Sequence, residues 1–119
     1  MNSPLTAGDR ATPTPERRAF GRSDLQVSPV AFGSWPIAGV TTLDVNDADS
    51  VATVTAAIDA GVNFIDTAYC YGRQGESETL IGRALVNRRD EAVIATKGGI
   101  HYDDAGEQAQ DARPDTLLR

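Results

Sequence analysis

The sequence predicts an α/β fold with parallel strands, and two patterns carry this prediction. Residues 30–32, 62–65 and 92–96 are mostly apolar on consecutive positions, not on alternate ones, which is typical of parallel strands covered on both faces. Segments with the apolar spacing of helices alternate with them, and this order favours right-handed strand-helix-strand connections. The chain of 119 residues, 40% hydrophobic and 24% charged, is sufficient for one domain at most.

Charge and cysteine content exclude several classes of function. Eleven Lys and Arg against seventeen Asp and Glu give a net charge of -6, so no nucleic-acid partner is expected. The single cysteine, Cys70, allows neither an internal disulfide nor a thiol-based metal site, so we expect no metal and a cytoplasmic location. No segment approaches the roughly 18 apolar residues of a membrane helix, and no secretory signal is expected.

The chain begins with a polar arm and a small hairpin. Residues 1–17 are rich in Pro, Thr, Ser and Arg and predict a flexible arm, which leaves residues 18–119 as the predicted domain. Turn-forming residues at 21–24 separate two short strand segments, a pattern that indicates a hairpin. The first parallel strand, 30–32, then ends at Gly33, Ser34 and Trp35.

Two helices follow from the apolar spacing. The first begins at Asn46 or Asp47, either of which can cap the free helix amides, and ends at Gly61. The second is expected to be capped by Ser77. The positions predicted to be buried are Val51, Val54 and Ile58 in the first helix and Leu80, Ile81, Ala84 and Leu85 in the second.

The last part of the sequence is polar. Residues 98–115 predict an acidic, solvated loop, and residues 116–119 predict the start of a helix. The sequence therefore contains about three strand-helix units, whereas a closed eightfold barrel needs about 250 residues. We expect the rest of such a fold to be missing or supplied elsewhere.

Three polar residues are placed where parallel strands end. Asp66 follows strand 62–65, Lys97 follows strand 92–96, and Tyr71 lies five positions after Asp66. Loops at the carboxyl ends of parallel strands converge on one face. Tyr71 would be a proton donor, with the Lys97 ammonium lowering its pKa and Asp66 keeping Lys97 charged. The structural alternative is a capping aspartate, a strand-end ion pair and a packing tyrosine.

Three ordered blocks cover about residues 18–97: RAFGRSDLQVSPVAFGSW, FIDTAYCYGRQGESETLIGRAL and VIATKGG. Their Asp-Thr-Ala and Tyr-Gly loop, Ser-Glu helix start and Thr-Lys strand end resemble the aldo-keto reductase superfamily, most of all its bacterial aryl-alcohol-dehydrogenase-like branch. The resemblance implies the N-terminal part of a (β/α)8 barrel. It also implies an enzyme that reduces aldehydes or ketones with NADPH, in preference to NADH.

The resemblance further assigns roles to residues. Tyr71 matches the general acid, Lys97 the lysine that lowers its pKa, and Asp66 the aspartate paired with that lysine. Gly33, Ser34 and Trp35 match the strand end that approaches the nicotinamide. The resemblance places Asp66 with these three residues in the cofactor site. The hydroxyl of Ser34 stands where the family often has a threonine.

The sequence also departs from the family. The fourth catalytic residue, a histidine, has no counterpart, because His101 lies four positions after Lys97 in the predicted acidic loop. The later cofactor loops are absent too, so we expect the 119-residue chain to be inactive alone. One alternative is a non-catalytic remnant or partner-binding subunit. Another is a barrel aldolase with a Schiff base at Lys97, against which Asp66 argues because it favours the charged amine.

Overall fold

The structure, a computed structural model, describes residues 13–118. It begins with the predicted antiparallel hairpin, β1 (Arg18–Ala19) and β2 (Gln26–Val27). Phe20, next to β1, packs edge to face on Phe64 with ring centroids 5.3 Å apart, and this contact fastens the hairpin to the central sheet. Residues 1–12 of the predicted flexible arm lie outside the described residues.

The central sheet has three parallel strands in sequence order, β3 (Ala31–Gly33), β4 (Phe64–Asp66) and β5 (Val93–Ala95). Gly33 is in register with Asp66, and Asp66 with Ala95. The three strands therefore end at the same level, and the segments that follow them leave from one edge of the sheet. A 3₁₀ turn over Trp35–Ala38 follows β3.

The first helix, α1 (Asp47–Asp59), confirms the predicted caps. The Asn46 side chain accepts a hydrogen bond from the amide of Asp49 at 2.9 Å. The chain leaves the helix through Gly61, whose φ of +88° favours glycine. The helix packs its apolar stripe on the sheet and on the second helix, as its spacing predicts.

The second helix, α2 (Glu76–Ala84), starts differently from the prediction. Its N-terminal cap position is Gly75, with φ +74°, and no side chain caps the helix. Ser77 is the second helical residue and is completely buried, so its prediction as a cap was wrong. Because the chain enters the helix through a left-handed glycine, the Ser77 hydroxyl turns inward to the strand ends instead of back to the free amides.

The core lies between the sheet and the two helices. Its buried side chains include members of both predicted apolar sets and of the strands: Ile37, Val54, Ile58, Ile65, Leu80, Ile81, Ala84, Leu85 and Ala92. Phe32, Val51 and Ile94 pack against this cluster while partly exposed. Among residues 13–118, no helix is both long and apolar enough to cross a membrane.

The segment predicted as an acidic loop contains a hairpin of β6 (Ile100–Tyr102) and β7 (Gln108–Gln110). The Asp103 carboxylate accepts from the amides of Ala105 and Glu107, both at 2.9 Å, and Gly106 has φ +81°. The acidic residues thus build the tight turn instead of a loose loop. His101 correspondingly lies half-buried on a strand, which corrects its prediction as a solvent-facing loop residue.

A short helix, α3 (Pro114–Leu117), begins two residues earlier than predicted. Asp111 ties it to the hairpin by accepting from the Arg113 guanidinium at 2.6 Å and from the Thr116 hydroxyl at 2.7 Å. The hydrogen bonds from Arg113, with that from Thr116, hold the pKa of Asp111 well below its usual range.

Candidate active site

Three side chains meet where β4 and β5 end. Asp66 is the last residue of β4, Lys97 lies two residues beyond β5, and Tyr71 lies in the loop between β4 and α2. The Lys97 Nζ is 2.8 Å from Asp66 Oδ1 and 3.3 Å from the phenolic oxygen of Tyr71. The parallel register explains this convergence, because it brings the two strand ends side by side.

The Lys97 ammonium is held by three acceptors. Besides Asp66 and Tyr71, it donates to the carbonyl oxygen of Thr67 at 2.9 Å, so that each of its three protons has a partner. Desolvation lowers the pKa of Lys97, but the hydrogen bonds to Asp66 and Tyr71 outweigh it and raise that pKa above its ordinary value. Lys97 is therefore a fixed positive charge at neutral pH.

Tyr71 presents its hydroxyl between Lys97 and an aromatic neighbour. Its oxygen accepts from Lys97, and no hydrogen bond within residues 13–118 takes its own proton, which leaves that proton available. The Trp35 ring stands edge-on to the Tyr71 ring with centroids 5.0 Å apart and planes at 88°. The indole N–H of Trp35 donates to the Thr41 hydroxyl at 2.7 Å, which fixes the ring.

Gly33, Ser34 and Trp35, the residues at the end of β3 that were predicted to contact the cofactor, lie in different environments. Gly33 is exposed beside Asp66, and a Cβ at this position would meet no described atom within 4 Å. Trp35 flanks Tyr71. Ser34 is completely buried, and its hydroxyl donates to the carbonyl oxygen of Asp66 at 2.9 Å. The structure thus brings Gly33 and Trp35 to the open side of the site and turns the Ser34 hydroxyl away from it.

Two residues of the site were missed by the sequence interpretation, Thr67 and Ser77. Their buried hydroxyls lie 3.0 Å apart directly beneath the strand ends. Both belong to the quoted blocks, Thr67 in the Asp-Thr-Ala loop and Ser77 in the Ser-Glu helix start, which is the signal that could have drawn attention to them.

A cleft of about 470 Å³ lies beside the site. Lys97 and His101 contribute to its walls, whereas Asp66 and Tyr71 do not. Thr96 also lines it and donates to Glu78 of α2 at 2.5 Å. Ile100 of β6 and Leu117 of α3 line it as well, so the cleft lies between the end of β5 and these two elements. Within residues 13–118, no histidine forms a hydrogen bond with the Tyr71 hydroxyl.

Comparison with known proteins identifies the family to which the chain is related. The sequence model described as the aldo/keto reductase family matches residues 29–119. A 6-dehydroglucose reductase from Novosphingobium aromaticivorans is 39% identical, in an alignment that covers 88% of this chain and 38% of that protein. The chain thus spans well under half the length of this relative.

Solved structures agree. A putative aldo-keto reductase from Pseudomonas aeruginosa superposes with a TM-score of 0.72 at 32% identity, covering 87% of this chain and 38% of that one. A glycerol dehydrogenase from Gluconobacter oxydans gives a TM-score of 0.70 at 36% identity, over 91% of this chain and 33% of that one. These neighbours are (β/α)8 barrels, and the three parallel strands described above form part of such a barrel. The chain belongs to the aldo/keto reductase family.

Proposed function

We propose that the protein containing this chain reduces aldehydes or ketones to alcohols with NADPH, and that Tyr71 is its proton donor. One observation carries the proposal: the Lys97 ammonium bonds simultaneously to Asp66 and to the phenolic oxygen of Tyr71. A purely structural ion pair between Lys97 and Asp66 would not need the contact with Tyr71. A tyrosine that gives up its proton does need a nearby positive charge, because its oxygen becomes negatively charged.

The chemistry of the proton follows from this arrangement. The carbonyl oxygen of a substrate accepts the Tyr71 proton, and negative charge develops on the phenolic oxygen as the proton leaves. The Lys97 ammonium, 3.3 Å away, stabilises that charge. Asp66 and the Thr67 carbonyl keep Lys97 protonated and oriented. A positioned general acid of this kind contributes roughly 10²- to 10⁴-fold to the rate.

The open side of the site fits the nicotinamide end of the cofactor. Gly33 leaves free space beside Asp66, and Trp35 flanks Tyr71. NADPH, when bound, supplies the hydride that reduces the carbonyl carbon. The choice of NADPH over NADH, like the cytoplasmic location and the aryl-alcohol-dehydrogenase-like branch, rests on the sequence interpretation.

The test uses the complete product of the reading frame that encodes these residues. Its NADPH oxidation is followed with a panel of aldehydes and ketones, beginning with sugar and polyol carbonyls because two relatives are named 6-dehydroglucose reductase and glycerol dehydrogenase. We expect Tyr71→Phe to lower kcat by roughly 10²- to 10⁴-fold. Tyr69→Phe is the matched control, since Tyr69 is two residues away and exposed, and we expect it to retain activity.

Two outcomes would contradict the proposal. A folded protein that oxidises no NADPH with any member of the panel would favour the non-catalytic, partner-binding reading. Full activity in Tyr71→Phe would remove Tyr71 from the mechanism.

A separate measurement tests the aldolase alternative. That alternative requires an adduct on Lys97 after borohydride treatment without nicotinamide. The raised pKa of Lys97 disfavours the neutral amine, so we expect no adduct.

A further inference from the structure

Ser77 lies where three segments of the candidate active site meet. It is completely buried, and its backbone N–H donates to the carbonyl oxygen of Tyr71 at 3.0 Å. Its hydroxyl donates to Ser34 Oγ at 2.8 Å and is 3.0 Å from Thr67 Oγ1. The first partner lies in the Tyr71 loop, the second after β3 and the third after β4. A single side chain on α2 therefore connects all three.

The three hydroxyls form a chain with one direction. Ser34 Oγ donates its proton to the carbonyl oxygen of Asp66 at 2.9 Å. Towards Ser77 it can therefore act only as an acceptor. Each hydroxyl has one proton. Ser77 gives its proton to Ser34, and Thr67 must therefore give its own to Ser77. Buried hydrogen bonds that run in one direction polarise and strengthen one another.

The chain begins at the Thr67 hydroxyl and ends at the backbone carbonyl of Asp66, and other groups of the same two residues hold Lys97. The carbonyl oxygen of Thr67 accepts from Lys97, and so does the carboxylate of Asp66. We propose that Ser77 is the positioning residue that holds Tyr71 at hydrogen-bond distance from Lys97, through its hydroxyl and its backbone N–H. The inference rests on the proposed reductase function. Ser77 itself forms no hydrogen bond with the phenolic oxygen or with the ammonium.

Ser77→Ala is the direct test. It keeps a good helix former in α2 and removes only the central hydroxyl. Thr67 then loses its buried acceptor and Ser34 its donor, so the loop that contains Asp66 and Thr67 is no longer fixed. A displacement near 1 Å in an active site costs about 100-fold. We expect kcat of the full reading-frame product to fall roughly 10- to 100-fold, with KM for the carbonyl substrate nearly unchanged.

Ser50→Ala is the matched control. Ser50 is also a buried serine near the start of a helix, and its hydroxyl donates to the carbonyl oxygen of Ile37 at 3.0 Å. It has no hydrogen bond to the strand ends, so this variant loses a buried hydroxyl while kcat is retained. Thr67→Val is the second variant, useful if Ser77→Ala does not fold. It preserves volume, removes the first donor of the chain, and should lower kcat in the same direction.

A double-mutant cycle separates positioning from general damage. If Ser77 acts by placing Tyr71, Ser77→Ala should lower kcat in the native background and have no further effect in a Tyr71→Phe background. An equal loss in both backgrounds would overturn the inference, because it would show that the hydroxyl acts independently of the phenol.

A second readout needs no turnover. Lys97 is the only lysine of this chain, and its Nζ titration can be followed by NMR with Lys97→Arg as the assignment control. Ser77→Ala and Thr67→Val should lower the raised pKa of Lys97, and Ser50→Ala should not. An unchanged titration in both test variants overturns the inference. A shifted titration in a protein that oxidises no NADPH refutes the proposed function alone and leaves the positioning of Tyr71 and Lys97 supported.

Discussion

Lys97 is the residue on which the site depends, and its pKa links the site to stability. The Asp66 and Tyr71 contacts raise this pKa in the folded protein despite desolvation. A raised folded-state pKa contributes stability that is fully present below the pKa of the unfolded state, about 10.4, and is lost as pH rises through the pKa of the folded state. The contribution is small, because 51% of the Lys97 side chain and 40% of that of Asp66 are exposed.

Asp66→Asn tests this linkage. Removal of the carboxylate charge lowers the pKa of Lys97, because the ammonium then keeps only two uncharged acceptors, the Tyr71 hydroxyl and the Thr67 carbonyl. We expect the Lys97 Nζ signal to titrate at lower pH than in the native protein. The stability difference between the two proteins in urea should narrow as pH rises through the native Lys97 pKa.

Asp59→Asn is the control for Asp66→Asn. Asp59 pairs with Arg88 at 2.7 Å, so this variant also breaks a surface ion pair without touching the site. It should leave the Lys97 titration unchanged. A Lys97 midpoint that is the same in Asp66→Asn and in the native protein would show that the observed contact does not determine the charge of Lys97.

The convergence of Asp66, Tyr71 and Lys97 was accessible from sequence because it depends on a local rule. Each residue follows a strand, and parallel strands end at one edge. The hydroxyl chain was not accessible in the same way. Ser34 and Ser77 are 43 positions apart, and local sequence patterns do not indicate that two such distant serines meet, so one was assigned to the cofactor and the other to a cap.

At the scale of elements, helix caps were predicted unequally well. Asn46 precedes its helix in an extended conformation, φ -124° and ψ 157°, in which its side chain reaches the Asp49 amide. Such a cap follows from residue type and position. The start of α2 depends instead on Gly75 in the left-handed conformation. Ser77, two positions later, is a residue type that often caps helices, and it was therefore predicted as the cap.

Asn46→Ala measures the cap of α1. Loss of the acceptor leaves the Asp49 amide without its side-chain partner, and we expect the free energy of unfolding in urea to fall by about 1 kcal/mol. Asn46→Ser keeps an oxygen in the capping position and should cost only a few tenths of this. Equal losses in the two variants would mean that the Asn46 side chain stabilises the helix by some route other than its cap.

The missed hairpin has a different physical cause. Residues 98–115 lack the apolar alternation that marks strands, because β6 and β7 bury little of their surface. Their stability comes from the Asp103 turn and from contacts across the chain, such as Arg73 over the Tyr102 ring at 5.4 Å. Contacts of this kind join a loop to a distant hairpin, and hydrophobic periodicity does not report them.

At the scale of the whole molecule, the described sheet is open on two sides. Within residues 13–118, β3 and β5 each pair with β4 alone among the parallel strands. A groove of about 350 Å³ runs along the open side of α2 and β5, with Ile81, Leu85 and Ile94 in its walls. In the (β/α)8 barrels of the family, further strands and helices cover such edges.

The 119-residue chain expressed alone should therefore associate and should not oxidise NADPH with carbonyl compounds. Within residues 13–118, the outer edges of β3 and β5 are unpaired, and these edges and the groove beside Ile94 expose surface that favours intermolecular pairing. Sedimentation velocity over a concentration series measures the association, which we expect as a sedimentation coefficient that rises with concentration. The site at Asp66, Tyr71 and Lys97 is assembled within this chain. If the 119-residue chain is monomeric and reduces carbonyl compounds with NADPH, the prediction is wrong, and the open edges matter for neither folding nor catalysis.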